Sequence, residues 1–112
     1  SALTGLRKLR LNGLLLMTDA GIEHVLPRLT NLTELSLCDD MQLSNSWAKL
    51  AHLTSLSTLL VFNSSCPPSL LVQVAPRLTR LRKVLDVRSV PLTRHQLDEL
   101  AAILAPCKIV FQ

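Results

Sequence analysis

Leucine recurs along this chain at intervals of three, three and then two residues. Copies of this arrangement begin at Leu3, Leu29 and Leu53, and a fourth start follows at Leu78. Residues two apart on a β-strand point to the same side, so the end of each copy predicts a short strand with one apolar face. A period of about 25 residues is typical of stacked units, each of which buries its apolar side against the next.

The last two predicted strands are less regular than the first three. The fourth copy contains one additional residue, so its strand is predicted over 84–88 with a bulge at the insertion. A fifth strand is predicted over 108–111. Its register stays open between a set with Ile109 and Phe111 facing inward and a set shifted by one residue.

The segments between the strands carry signals for helices. The first helix is predicted to begin with Thr18 as its N-cap and to end before Pro27, and the fourth to run from Thr93 to Pro106. The other two are predicted from apolar residues spaced by threes at Trp47, Leu50 and Leu53, with Ser44 or Ser46 as the cap, and from the segment 69–75 before Pro76. We therefore predict an α/β solenoid of about four to five repeats, with a parallel concave sheet and convex helices.

The chain resembles the leucine-rich repeat proteins over nearly its whole length. Its first repeat is similar to the cysteine-containing repeats of F-box leucine-rich repeat proteins, on the stretches 9–13, 17–22 and 29–32 and above all on Thr18-Asp19-Ala20-Gly21-Ile22. The segment from Leu92-Thr93 to Leu100-Ala101 is closer to the ribonuclease-inhibitor-like subtype. The resemblance implies convex helices, and a substrate-recognition segment of an F-box-type ubiquitin ligase becomes an alternative function.

Length and composition indicate one domain with an aliphatic core. The 112 residues are 48% hydrophobic and only 3% aromatic, and we expect residues 1–112 to be a fragment of a longer solenoid.

Three widely spaced cysteines indicate neither a disulfide framework nor a zinc site, which favours a cytoplasmic or otherwise intracellular location. Two glycosylation sequons, at Asn31 and Asn63, point the other way.

The pattern of reactive residues argues against catalysis. His24, His52 and His95 lie in different predicted helices, and Cys38 follows a strand on the opposite side, so neither a metal site nor a cysteine nucleophile with its base is predicted. We therefore expect no enzyme activity, cofactor or small-molecule substrate.

The net charge of +4 is modest, and the basic run over 77–83 has no interleaved aromatic residues, which argues against nucleic acid. No apolar run is long enough to cross a membrane.

The outward positions of the strands carry the candidate binding site. Leu60 and Phe62 are apolar at outward positions, with Cys38 and Val84 on either side, which predicts an exposed patch among charged residues. We predict a protein-protein interaction module whose partner, of unknown identity, contacts this concave face. The predicted contact residues are Leu60, Phe62, Arg10, Arg88, Lys8, Glu34 and Asp86.

Two other interpretations remain open from the sequence. Phe62 is equally well explained by a cover from a loop or a neighbouring domain, or by simple exposure. An architectural subunit of a large assembly would use the convex helices and the solenoid ends instead, and would tolerate changes at Phe62.

Overall fold

Parallel strands of three residues form one sheet in the part of the chain that the computed structural model describes, namely residues 5–11, 19–39, 43 and 45–112. The order of the five described strands in the sheet follows their order in the chain. They are β1 (Lys8–Arg10), β2 (Glu34–Ser36), β3 (Thr58–Leu60), β4 (Val84–Asp86) and β5 (Lys108–Val110). Each neighbouring pair is parallel, so the fold is α/β with every connection passing through the helical layer.

Helical segments fill the connections between strands. The α-helices are α1 (Asp19–Val25), α2 (Pro68–Val74) and α3 (Arg94–Leu104), and 3₁₀ helices span Leu26–Arg28, Asn45–His52 and Ala75–Arg77. The predicted N-cap Thr18 and the candidate cap Ser44 lie outside the described residues. The second connection is a 3₁₀ helix because Trp47, Leu50 and Leu53 recur at its period of three residues per turn, and all three are buried.

The inward positions of the strands make one continuous row. Leu9, Leu35, Leu59, Leu85 and Ile109 are direct neighbours across the sheet. The three central members are at most 1% exposed, and they belong to the hydrophobic core between the sheet and the helices. This row confirms the strand alternation predicted from the leucine spacing.

Both irregular strands adopt an unbroken register. Ile109 lies opposite Leu85, which settles the open register of β5 in favour of Ile109 facing inward. Val84 lies opposite Thr58 on one side and Lys108 on the other, so no bulge interrupts β4. The additional residue lies ahead of β4, in the loop after Leu81, where it does not disturb the ladder.

The chain leaves the sheet in the same way after each of the three central strands. The third residue after β2, β3 and β4 is Asp39, Asn63 and Ser89, with φ of 59°, 52° and 68° respectively. Asp and Asn enter this left-handed region more readily than most residues. The Asn63 Nδ2 also donates to the Asp39 Oδ1 over 2.6 Å, which links two of these bends.

A capping box starts α3. The Thr93 hydroxyl accepts from the Gln96 backbone N over 3.1 Å, and the Gln96 Oε1 accepts from the Thr93 backbone N over 2.9 Å.

We expect Thr93→Ala to lower the free energy of unfolding by about 1 kcal/mol, since one helix-end donor loses its partner. Urea titration followed by circular dichroism measures this, and Thr54→Ala, at an exposed turn residue, is the matched control. Equal stability of the two variants would contradict the role of the cap.

Among the described residues, none forms a helix with the length and apolar character needed to cross a membrane.

Candidate binding face

The outward positions of the strands form a surface that we call the sheet face. Its first row is Lys8, Glu34, Thr58, Val84 and Lys108, and its second row is Arg10, Ser36, Leu60, Asp86 and Val110. Backbone hydrogen bonds from Asp39 N to Phe62 O and from Asn63 N to Arg88 O continue the ladder beyond the strands. The sheet face therefore brings together all seven predicted contact residues.

Arg88 joins the apolar and charged parts of the sheet face. Its guanidinium carbon lies 4.8 Å from the centre of the Phe62 ring, which is a cation-π contact. Its Nε and Nη2 donate to the Asp86 carboxylate over distances of 2.8 to 3.1 Å. Because planar bidentate pairing fixes orientation, Asp86 holds Arg88 over the ring. The hydrogen bonds to Asp86 and the negative charge of Asp86 raise the pKa of Arg88 above its ordinary value.

Asp86 itself is a supporting residue rather than an open contact. Its side chain is only 8% exposed, whereas that of Arg88 is 47% exposed. The Asp86 Oδ1 also accepts from the Arg88 backbone N over 3.2 Å. A partner therefore meets Arg88 and reaches Asp86 only through it.

An apolar patch extends across the sheet face from β3 to β5. Leu60, Phe62, Val84 and Val110 are all half-buried, and Leu60 is flanked in the second row by Asp86 and, one strand further, by Val110. Val110 was missed in the sequence because the register of β5 was open. Once Ile109 is placed inward, alternation puts Val110 on this face.

Cys38 is not part of the exposed patch, contrary to the sequence prediction. It is fully buried, and its Sγ lies 3.2 Å from the Ser36 Oγ. Ser36 is only 1% exposed. Strand alternation sets the side to which a residue points, but neighbouring side chains decide whether it reaches solvent. Burial is the largest influence on the Cys38 thiol, and it raises the pKa.

The remaining predicted contacts lie at the β1 end of the sheet face. The Arg10 Nη2 is 3.5 Å from the Glu34 Oε2, and the Arg10 side chain is 73% exposed. An ion pair of this kind contributes little to stability. Lys8 lies opposite Glu34 in the first row and is exposed. Arg10 and Lys8 therefore remain accessible to a partner.

Thiol burial gives a direct chemical test of these placements. Burial raises the pKa of the Cys66 thiol to about 12, and Cys107 is the only cysteine that is not fully buried. Since the thiolate is the reactive form, we expect iodoacetamide to modify Cys107 first in the folded chain. Mass spectrometry with a Cys107→Ser control measures this, and Cys66 reacting as fast as Cys107 would contradict it.

The same shift in Cys66 predicts a dependence of stability on pH. The folded-state pKa of about 12 lies above the ordinary value of 9.0. Between these values the unfolded chain ionises and the folded chain does not, so the stability present below pH 9.0 declines as pH rises towards 12. Cys66→Ala should remove this part of the decline.

The described residues offer little for metal or acid-base chemistry. They contain no group of three His, Cys, Asp or Glu side chains that could hold a metal ion. His24, His52 and His95 are exposed on the helical layer. His95 Nε2 lies 3.0 Å from the Glu99 Oε1 on the surface of α3. Cys38, by contrast, follows β2 in the sheet.

Neither known protein-family models nor curated protein sequences match this chain. We therefore infer its function from the geometry of the sheet face.

Proposed function

We propose that this chain is a leucine-rich repeat solenoid that binds a partner protein through its sheet face. The recurring leucine arrangement, the in-register parallel strands and the repeated left-handed bends at Asp39, Asn63 and Ser89 support the solenoid. Each strand adds one outward side chain to each row of a shared surface. Solenoids commonly use such an extended surface for binding.

The observation that carries the proposal is the half-buried apolar patch beside an oriented arginine. Leu60 and Phe62 lie where strand alternation normally places polar side chains, and Arg88 is fixed over the Phe62 ring. Protein interfaces are enriched in aromatic residues and arginine at their centres. Complete burial of a side chain such as Leu60 contributes about 1.5 to 3 kcal/mol. Because Leu60 is already half-buried in the free chain, a partner adds only part of this stabilisation.

The partner chemistry follows from the charges around the patch. Arg88 lies beside the apolar patch, whereas Arg10 and Lys8 lie two strands away from Leu60, at the β1 end of the sheet face. All three are exposed. A partner segment with an apolar side chain next to carboxylates fits this arrangement. The charged residues mainly accelerate encounter, and the apolar patch determines how slowly the partner leaves.

A pull-down from native extract, read by mass spectrometry, tests the proposal. The chain is compared with a Leu60→Asp, Phe62→Asp variant and with an Ala48→Asp, Ala102→Asp control. Both control positions are exposed on the helical layer, so the two variants carry the same change in charge. Circular dichroism establishes that each variant is folded before binding is compared.

We expect a partner that binds the original chain and the control to be lost from the sheet-face variant. Loss of a central contact costs about 2 kcal/mol or more, which is roughly a thirtyfold weaker affinity. Retention by the sheet-face variant together with loss in the control would move the contact to the helices and favour an architectural role. We also propose that the chain acts without catalysis, and turnover by the isolated chain would contradict this part.

A further inference from the structure

A cavity of about 130 Å³ lies on the helical layer, away from the sheet face. Its walls come from the connection between α2 and β4 and from the end of α3, and most of them are aliphatic. The lining residues are Ala75, Pro76, Leu78, Thr79, Leu81, Arg82, Ile103, Leu104 and Ala105. The cavity opens to solvent, and its volume is large enough for the end of one side chain.

Exposed cations are concentrated beside this cavity. Arg77, Arg80, Arg82 and Lys83 belong to the same connection, and all are exposed. We call these four residues the basic cluster.

Among the described residues, no ion pair joins the basic cluster to an acidic side chain. The segment 75–83 contains neither Asp nor Glu. The arginine–carboxylate pairs of the described residues involve Arg10, Arg88 and Arg94 instead. Cations held close together repel one another, so an anionic partner gains their attraction without breaking an existing pair.

We infer that this cavity and the basic cluster bind an acidic segment of a partner protein, with one apolar side chain inserted between Pro76 and Ile103. Ile103 is 40% exposed, which is unusual for a large aliphatic residue in the described part of the chain. Arginine pairs well with carboxylates because its planar donors match their two oxygens. The inference rests on the proposed function only in taking the partner to be a protein.

The surroundings of the cavity favour a protein over other polyanions. Binding of single-stranded nucleic acid relies on aromatic side chains that stack on bases. Trp47 is buried, Phe62 lies on the sheet face, and Phe111 follows β5, so none of the aromatic residues lines this cavity. The aliphatic walls instead match a peptide that alternates carboxylates with an apolar anchor.

Fluorescence anisotropy with a labelled probe tests the inference on the intact chain. The probe is a synthetic peptide of glutamates on both sides of one central leucine, and a second probe replaces that leucine by serine. Oligouridine and vesicles containing phosphatidylserine serve as the competing polyanions. None of these probes depends on Leu60 or Phe62, so failure here leaves the sheet-face proposal untouched.

Two matched pairs of variants locate the binding site. Arg80→Glu changes the basic cluster, and Arg94→Glu makes the same charge change at an exposed residue of α3. Ile103→Asp changes the cavity wall, and Ala102→Asp places the same charge on the exposed neighbouring residue. Circular dichroism and urea titration check that all four variants are folded.

We expect Arg80→Glu and Ile103→Asp each to weaken binding of the leucine-containing peptide roughly tenfold, as loss of one charge-assisted contact or one apolar anchor predicts. Arg94→Glu and Ala102→Asp should stay close to the original chain, and the serine peptide should bind more weakly. Equal effects within each pair would overturn the inference. Tighter binding of oligouridine or of the vesicles, lost in Arg80→Glu, would overturn it in favour of a nucleic acid or a membrane surface.

Discussion

Leu59→Ala is expected to lower the free energy of unfolding by about 2 to 5 kcal/mol, because it deletes a fully buried side chain at the centre of the core. Leu59 is 0% exposed and lies between Leu35 and Leu85 in the inward row. Neighbouring leucines on both sides of it are already packed against the helices. Other contacts therefore hold these neighbours in place, and the space left by the truncated Leu59 side chain would close only in part.

Leu60→Ala is the matched control for this prediction. Leu60 is the next residue of the same strand and differs only in pointing to the sheet face, where it is half-buried. Its truncation is expected to cost about 1 kcal/mol or less. Urea denaturation followed by circular dichroism gives both values, and a greater loss for Leu60 than for Leu59 would contradict the assignment of the two faces.

Trp47→Ala is the second large effect that we expect, at about 3 to 5 kcal/mol of lost stability. Trp47 is 1% exposed and packs within the core from the 3₁₀ helix Asn45–His52. Its Nε1 donates to the Leu43 carbonyl over 3.2 Å and to the Ser65 Oγ over 3.3 Å. These bonds connect the second and third interstrand segments, so the loss should spread beyond one helix.

A Trp47→Phe variant separates the ring from its hydrogen bonds. The Leu43 carbonyl keeps a donor in the Ser65 hydroxyl, at 2.6 Å. The cost is therefore expected to be only about 1 to 2 kcal/mol. Since Trp47 is the only tryptophan, circular dichroism must replace intrinsic fluorescence as the probe. Unchanged stability of Trp47→Ala would mean that the indole does not support the core.

Strand positions and facing could be predicted from sequence because they depend on local spacing. Leucines two apart identify the inward row, and the same alternation assigns Lys8, Glu34 and Leu60 to the sheet face without knowledge of distant contacts. Stacking copies of one unit then places equivalent residues side by side. The register between β2 and β3 follows this rule throughout.

Burial on the sheet face could not be predicted in the same way. Asp86 is 6% exposed because Arg88 folds back over it, and Cys38 is fully buried beside Ser36. Both effects come from side-chain conformations rather than from which way the backbone points. Arg88 and Asp86 were identified as contacts, but their division into an exposed and a supporting residue emerges only from geometry.

The helical layer shows a similar limit. The basic run over 77–83 is visible in the sequence, but the adjoining cavity is built jointly with Ile103 and Leu104. These two parts are some twenty residues apart in the chain and approach each other only through the packing of α3 against the preceding segment. Linear spacing therefore revealed the charge and missed the apolar site beside it.

Site-specific photo-cross-linking from Thr58 tests the central claim most directly. Thr58 shares the outward side of β3 with Leu60, so a benzoylphenylalanine there samples the sheet face without removing the patch. In native extract we expect a cross-linked partner from position 58, none from the same group at the exposed Ala48 in the 3₁₀ helix Asn45–His52, and loss of the adduct when Phe62→Asp is added. A partner captured from Ala48 and not from position 58, or an adduct that is indifferent to Phe62→Asp, would contradict binding through the sheet face.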